Sequence, residues 1–277
     1  MIGEPPFGAW IGRRHTSEPD TITPRLCREY AATFGGLLAP VPGAAPGLHW
    51  CLAPAATDSA ALGLDGHPAR GDLLPPVCLP RRMWAGGSLE FLAPLQPGDT
   101  VIKTSTIRDI ARKTGRSGKL CFVTVAIDYT SGQSTAIRET QRIVYREESK
   151  AATAAGVPQT TDLEFEAEMR IDVTSTFLFR YSALTFNGHR IHYDLRYARE
   201  VEGYPDLVIH GPLQATLLLN LAASMKAASP KRFEFRATAP ATGAQTLRAG
   251  AVADGKGCDL TMVSATGAVT MTASAQW

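Results

Sequence analysis

Residues 210–277 constrain the fold more than any other stretch. "HGPLQATLLLNLAASMK" opens on His-Gly-Pro and is then apolar on nearly every face, with no acidic residue. The Pro sits just inside the helix start, where its missing N–H costs nothing. A helix that is apolar all round has to be buried on most sides. Behind it come "KRFEFRATAP", "QTLRAGAVAD", "CDLTMVSAT" and "AVTMTASAQW", separated by "ATGAQ", "DGKG" and "ATGA". Short alternating segments between Gly-bearing turns read as an antiparallel meander. A sheet wrapped around one helix buries both apolar faces together, so this region predicts a compact α+β unit.

The stretch "ESKAATAAGVPQTTDLE", residues 148–164, is small, polar and aperiodic, as a linker is. Before it, "TPRLCREYAATFG" begins with Thr23 and Pro24, a cap followed by a first-turn proline, and predicts a helix over 24–34. A Pro- and Gly-rich tract fills 35–80. Strands are expected in "GGSLEFLAPL", "DTVIKTSTIRDIARKTG", "KLCFVTVAIDYTSG" and "STAIRETQRIVYRE", with a hairpin turn at "YTSGQS". After the linker, "EMRIDV" is strand-like and "STFLFRYSALTFN" spaces Phe177, Leu178, Tyr181 and Leu184 as a helix does. Asp194 is an N-cap for "LRYAREV". The division expected is 1–148, a linker over 149–164, and 165–277. The first half has a comparable meander without an equally clear central helix, so the halves could pack like a dimer fused into one chain.

Bulk properties exclude several classes. The 277 residues are 44% apolar and 19% charged, enough for a sizeable core. A net charge of +2 gives no electrostatic footprint for nucleic acid. Five cysteines are widely scattered with no CxxC, which speaks for buried free thiols rather than a disulfide framework or zinc ribbon. "MIGEPPFGAWIGRRH" lacks the order of a signal peptide, and the apolar run around 213–225 is too short and polar to span a bilayer. The expectation is a soluble cytoplasmic protein with no nucleic-acid or membrane partner.

The chemistry gathers in "RYSALTFNGHRIHYD", 180–194, and "YPDLVIHGPLQATLLL", 204–219, which hold three of the six histidines. Asn187-Gly188 is a turn signal at a helix end, and Asn tolerates the left-handed conformation. Asn187 and His192 should then share an irregular loop with their side chains free to converge. His210-Gly211 precedes the apolar helix, whose first amides and dipole can stabilise a developing anion. Pro212 has no amide, so Gly211 is the nearest donor. A neutral imidazole, a side-chain amide and a helix N-terminus suit proton transfer at an enolate-forming centre. His189, His192 and His210 could also ligate zinc, but no carboxylate or Cys completes an obvious set, so no metal is expected. His189 or His210 taken singly could equally be structural.

These motifs resemble MaoC-like dehydratases and R-specific enoyl-CoA hydratases, whose Asp-x-Asn-Pro-x-His motif precedes a His-Gly at the start of the hot-dog helix. Here the motif reads "NGHRIH" and the His-Gly is His210-Gly211. "WIGRRHTSEPDTIT", "LGLDGHPARGDLLPPVCLPRRMWAGGSLEFLAPLQPGD" and "RKTGRSGKLCFVTV" resemble one subgroup, the type 2 hydroxyacyl-thioester dehydratases with mesaconyl-C4-CoA and itaconyl-CoA hydratases. The resemblance runs over most of the chain. It implies a double hot-dog fold, its first half a degenerate substrate- and CoA-binding unit and its second half carrying the catalytic loop. It also implies reversible hydration of enoyl thioesters, without redox cofactor or metal, in a homo-oligomer of double hot-dogs. Asn187 stands where the broader family has its catalytic Asp, as it does in the subgroup. An amide cannot take a proton from water, so His192 alone is assigned the proton. Asn187 would hold the water or the thioester carbonyl, and Gly211 would stabilise the enolate. Tyr181, Ser182, His189 and His210 would line or brace the loop.

Arg112, Lys113, Arg116 and Lys119 in "RDIARKTGRSGK" are candidates for CoA phosphates, although by themselves they read as a solvated hairpin tip. Arg81 and Arg82, beside Trp84 in "PRRMWAGG", could pair with the second carboxylate of a mesaconyl, itaconyl or citramalyl group, or form an ordinary salt bridge. Asp65 and His67 in "DGHP" read first as turn chemistry. The leading substrate is a short branched dicarboxylyl-CoA, with 3-hydroxyacyl thioesters of fatty-acid type second. The competing classes are a hot-dog thioesterase and a non-catalytic acyl-CoA-binding protein. The absence of Asp or Glu on the 212–225 helix weighs against the thioesterase.

Overall fold

A computed structural model describes residues 7–115, 118–147 and 163–277. Residues 149–162 of the expected linker, and Arg116, lie outside the described residues. Thr23 Oγ1 accepts from the Leu26 amide at 3.1 Å and starts helix α1, Pro24–Phe34, as its cap and proline predict. Two short strands precede it, β1 (Arg14–Thr16) and β2 (Asp20–Thr21). The first-half meander is β3 (Arg81–Phe91), β4 (Thr100–Gly115), β5 (Gly118–Ser131) and β6 (Ser134–Arg146). The second half runs β7 (Ala167–Val173), α2 (Ser175–Leu184), α3 (Leu195–Glu200) and α4 (Gly211–Lys226). Strands β8 (Arg232–Ala237), β9 (Gln245–Asp254), β10 (Gly257–Val263) and β11 (Val269–Gln276) complete it.

All these strands form one 11-stranded sheet in the order β1-β4-β5-β6-β3-β8-β11-β10-β9-β7, with β2 on β4. The halves join where β3 pairs antiparallel with β8, from Gly86↔Arg236 to Glu90↔Arg232. Outward from that seam the order repeats: β3-β6-β5-β4-β1 on one side, β8-β11-β10-β9-β7 on the other. Gly87 lets the seam close, because a Cβ there would overlap the Thr140 carbonyl and come within 2.8 Å of Phe235 Cζ.

Helix α4 packs against β7, β8, β9, β10 and β11 of its own half and reaches across to β3. Leu213, Leu217, Leu218 and Leu219 are fully buried, which explains a sequence apolar on every face. The described residues of the first half hold no such helix. A 3-10 turn, Leu48–Cys51, brings Trp50 into a polar network there. The buried Glu139 carboxylate accepts from Trp50 Nε1 at 2.9 Å, Gln141 Nε2 at 2.9 Å and the Tyr129 hydroxyl at 3.0 Å. Helices α1 and α2 meet through Phe34, edge-on to Phe177 and Tyr181 at 5.5 and 6.1 Å. Cys51, Cys121 and Cys258 are buried as expected, whereas Cys78 is exposed.

Candidate active site

The candidate catalytic loop begins where α2 ends. Phe186 takes the left-handed conformation, φ +50°, and Asn187 N–H returns to the Ser182 carbonyl at 2.8 Å. The left-handed position therefore falls one residue before the Asn that tolerates it best. Asn187 Oδ1 accepts from the His189 amide at 3.0 Å, an Asx turn that shapes the loop. The side chain is thus not free in the way the sequence suggests. Its oxygen already accepts one bond within the turn, so a second lone pair and its N–H donors remain for a ligand. Arg190 clamps the far side through two bonds to Asp194 Oδ2, at 2.7 and 3.1 Å, while Asp194 Oδ1 caps α3 at the Tyr197 amide, 3.0 Å.

His192 Nδ1 lies 2.7 Å from the Val208 carbonyl. A carbonyl can only accept, so Nδ1 carries the proton and Nε2 a lone pair. The ring is buried, and burial pushes its pKa down to about 3, against the smaller opposing effect of the Val208 bond. His192 is therefore a neutral base in a fixed tautomer. It stacks on His210 at 3.6 Å and 20°. His210 is fully buried at the N-cap of α4, and its Nε2 is 2.8 Å from Ser182 Oγ. The Tyr181 ring stands edge-on to it at 5.0 Å. Ser182 and Tyr181 brace His210, and His210 supports the face of His192.

Gly211 opens α4, where first-turn amides have no intrahelical acceptor and meet the positive end of the dipole. The Trp84 indole covers this turn. A Cβ on Gly211 would come 2.8 Å from Trp84 Cε3, and the indole is itself stacked on Phe235 at 4.5 Å.

The structure adds two residues that sequence reasoning left as a turn. Gly66, at φ +83°, packs so closely on the catalytic loop that a Cβ there would overlap the Gly188 carbonyl. Arg190 N–H donates to the Asp65 carbonyl at 2.9 Å. Asp65 Oδ1 accepts from the His67 amide at 3.0 Å, and Oδ2 lies 3.2 Å from His67 Nδ1. The His67 ring is 4.1 Å from His189, which is 5.4 Å from His192. Four imidazoles, 67, 189, 192 and 210, thus form a contiguous row built from both halves. Burial, then the neighbouring His67 and His192, push His189 to about 2. Burial also lowers His67, partly offset by Asp65. Burial alone would raise the Asp65 carboxyl, but its bonds to His67 and the charge of Arg82 hold it below the usual range. The only signal in the sequence was the Asp-Gly-His order itself.

The two arginines of β3 separate. Arg81 is buried with Nε 3.9 Å from Glu202 Oε2. Arg82 has no carboxylate within 4.0 Å among the described residues, and it lies near enough to lower Asp65, His67 and His189. Arg82 and Asp65 line a cleft of about 310 Å³ with Tyr197 and Glu202. In the basic hairpin, Arg112 lies over Phe7 at 4.3 Å and Lys113 over Phe122 at 5.5 Å, while the Lys119 amide is bonded to Glu147. Sheet register places Arg112 in the row Arg82–Tyr145–Cys121–Arg112, about 14 Å from Arg82 by three strand spacings.

A family model described as hydroxyacyl-thioester dehydratase type 2 matches residues 47–243. The chain is 39% identical over 280 residues to a mesaconyl-C(4)-CoA hydratase of Chloroflexus aurantiacus, covering 97% of this chain and 96% of the relative. Among solved structures, a MaoC-like dehydratase superposes with a TM-score of 0.72 at 15% identity, covering 98% of this chain and 100% of the other. A Mycobacterium tuberculosis protein described as a double hotdog fold superposes with a TM-score of 0.57 at 13% identity, covering 100% and 99%. The fold is the double hot-dog that the sequence motifs imply, and the chain belongs to the hydroxyacyl-thioester dehydratase type 2 family.

Proposed function

We propose that this enzyme reversibly hydrates an enoyl-CoA thioester whose acyl group is a short branched dicarboxylate: mesaconyl-C4-CoA, unsaturated at α,β, or its β,γ isomer itaconyl-CoA, giving citramalyl-CoA. The observation that carries the reading is His192, a buried neutral imidazole with Nδ1 tied to the Val208 carbonyl and its Nε2 lone pair available, next to the N-terminus of α4. On the α,β-unsaturated mesaconyl-C4-CoA, Nε2 takes a proton from water as the water oxygen bonds to the β-carbon. The π electrons move to the thioester oxygen, where the Gly211 amide and the helix dipole stabilise the enolate. The imidazolium then returns its proton to the α-carbon. Asn187, whose oxygen also accepts from the His189 amide, holds the water or the thioester carbonyl by hydrogen bonds.

Two things favour the dicarboxylyl substrate: the 39% identity to a mesaconyl-C(4)-CoA hydratase, and Arg82, which lines a cleft near Asp65 and has no carboxylate within 4.0 Å among the described residues. Arg82, rather than the Glu202-bound Arg81, would receive the second carboxylate, and Trp84 would wall the acyl site. The family description favours the second reading, a 3-hydroxyacyl-thioester dehydratase of fatty-acid type. The reaction as written needs no redox cofactor and no metal. Asp65, His67 and His189 bring ligand-capable atoms within 4.8 Å of one another, but both Asp65 oxygens are bonded to His67 and Arg82 adds positive charge nearby. Arg112, Lys113, Arg116 and Lys119 would contact the CoA phosphates. A cytoplasmic homo-oligomer completes the proposal; no described helix is long and apolar enough to cross a membrane. The test is His192→Ala: turnover of enoyl-CoA should fall about 10²–10⁴-fold, the usual share of a general base, with Tm preserved. Full turnover by that variant would refute the reading.

A further inference from the structure

We propose that Tyr145 is a specificity-determining residue of this site: its hydroxyl orients the Arg82 guanidinium for the free carboxylate of the acyl group. The inference rests on the hydration reading above and on the substrate it names. In mesaconyl-C4-CoA the free carboxylate is carried by the β-carbon, the atom that water attacks, so its receptor must stand close to His192. Arg82 is near enough to His189 to lower its pKa, and the His189 ring lies 5.4 Å from His192.

The cleft that Arg82 lines holds three guanidinium groups, Arg70, Arg81 and Arg82, and two carboxylates, Asp65 and Glu202. Both carboxylates are engaged, Asp65 by His67 and Glu202 by Arg81 at 3.9 Å. Arg70 Nη1 donates to the Val77 carbonyl and to that of Leu79 at 2.6 Å, and its Nη2 to that of Pro80 at 2.7 Å. Arg82 is therefore the guanidinium of this cleft that is left for an anion. Tyr145 stands directly opposite it in the antiparallel pairing of β3 with β6, so both side chains rise from the same face of the sheet. Arg70 lies over the Tyr145 ring at 5.0 Å. Burial raises the Tyr145 phenol, and the charges of Arg82 and then Arg70 oppose the rise, which places both guanidiniums around a neutral hydroxyl. A neutral oxygen can hold a guanidinium without cancelling its charge, as Glu202 does to Arg81. The hydroxyl contributes nothing to the fold in exchange. It is buried, and no carbonyl or carboxylate among the described residues takes its hydrogen, an arrangement that costs stability. Phenylalanine would fill the same space without that cost, so the hydroxyl serves Arg82 rather than the packing.

The test is a double-mutant cycle of wild type, Tyr145→Phe, Arg82→Gln and the double variant, with mesaconyl-C4-CoA and crotonyl-CoA as substrates. It reads the ratio of kcat/KM for mesaconyl-C4-CoA to that for crotonyl-CoA, because only the first carries a second carboxylate. Tyr145→Phe should lower that ratio about tenfold, the usual effect of one hydrogen bond to a charged group, with Tm equal to or above that of wild type. In the Arg82→Gln background the same substitution should change the ratio less than about twofold. An unchanged ratio in Tyr145→Phe would make Tyr145 a structural residue at most, and an equal fall in both backgrounds would mean that it does not act through Arg82. Either result overturns the assignment while leaving hydration intact. Hydration of crotonyl-CoA alone by wild type would overturn the carboxylate site, and hydration of neither substrate would overturn both readings.

Discussion

The buried histidines have a consequence for stability that is independent of the reaction. His49 and His192 are both held near pKa 3, chiefly by burial, against an ordinary value of 6.5. The unfolded chain binds a proton at each below about pH 6.5, and the fold does not. Stability from these groups is full above 6.5 and is lost as pH falls toward 3. The slope is about 1.4 kcal/mol per pH unit for each group, so about 2.7 for the pair and about 5 kcal/mol by pH 4.5. Lowered values for His67, His189 and His210 act in the same direction. The raised carboxyl of Glu139 acts the other way and offsets at most one proton. Against a typical total of about 5–15 kcal/mol, most of the fold's stability should be gone near pH 4.5. Urea denaturation at pH 7.5, 6.5, 5.5 and 5.0 reads this directly. His49→Phe isolates one group. His49 sits among Trp50, Phe91 and Tyr129, its Nε2 is buried without a partner among the described residues, and it lies outside the site. That variant should lose about 1.4 kcal/mol per pH unit of slope and keep its activity. A flat stability profile, or an unchanged slope in His49→Phe, would refute the reasoning.

Arg82→Gln should raise KM for mesaconyl-C4-CoA at least tenfold and leave crotonyl-CoA untouched; equal effects on both substrates would remove the carboxylate role. Arg81→Gln should act on Tm instead, because it strands the half-buried Glu202. Gly211→Ala forgoes the roughly 1 kcal/mol that Ala offers a helix, because its Cβ would meet Trp84 at 2.8 Å. The indole should shift, visible in tryptophan fluorescence, and kcat should drop at least tenfold; unchanged kcat and emission would contradict the close packing. Dialysis against a chelator should leave turnover unchanged, and loss restored by zinc would assign Asp65, His67 and His189 a metal after all.

Much of the fold was legible because local pattern and burial agree. The apolar helix, the cap at Thr23 and most strands of both meanders fall where periodicity and turn residues put them. Strands β1 and β2 were missed, being too short to carry a pattern. Strand β3 starts at Arg81 rather than in the Gly-Gly run because it pairs with the end of β6. The site divides in the same way. Asn187, His192, His210 and Ser182 lie close in sequence and were gathered by motif. Asp65 and His67 reach the loop only through tertiary contacts such as Arg190 to Leu64, 126 residues apart, which periodicity cannot see. Arg81 and Arg82 could not be told apart in the sequence, because only the fold brings Glu202 to Arg81, and both line the same cleft.

The central claim is water addition at His192, and it is tested most directly in H₂¹⁸O. Wild type and His192→Ala are incubated with mesaconyl-C4-CoA, itaconyl-CoA and crotonyl-CoA, and the products are weighed by mass spectrometry. The account predicts an ¹⁸O-labelled hydroxyacyl-CoA from the dicarboxylyl substrates with wild type and almost none with the variant. Label in free acid with release of CoA would make the protein a thioesterase, and unaltered substrate throughout would contradict catalysis at this site.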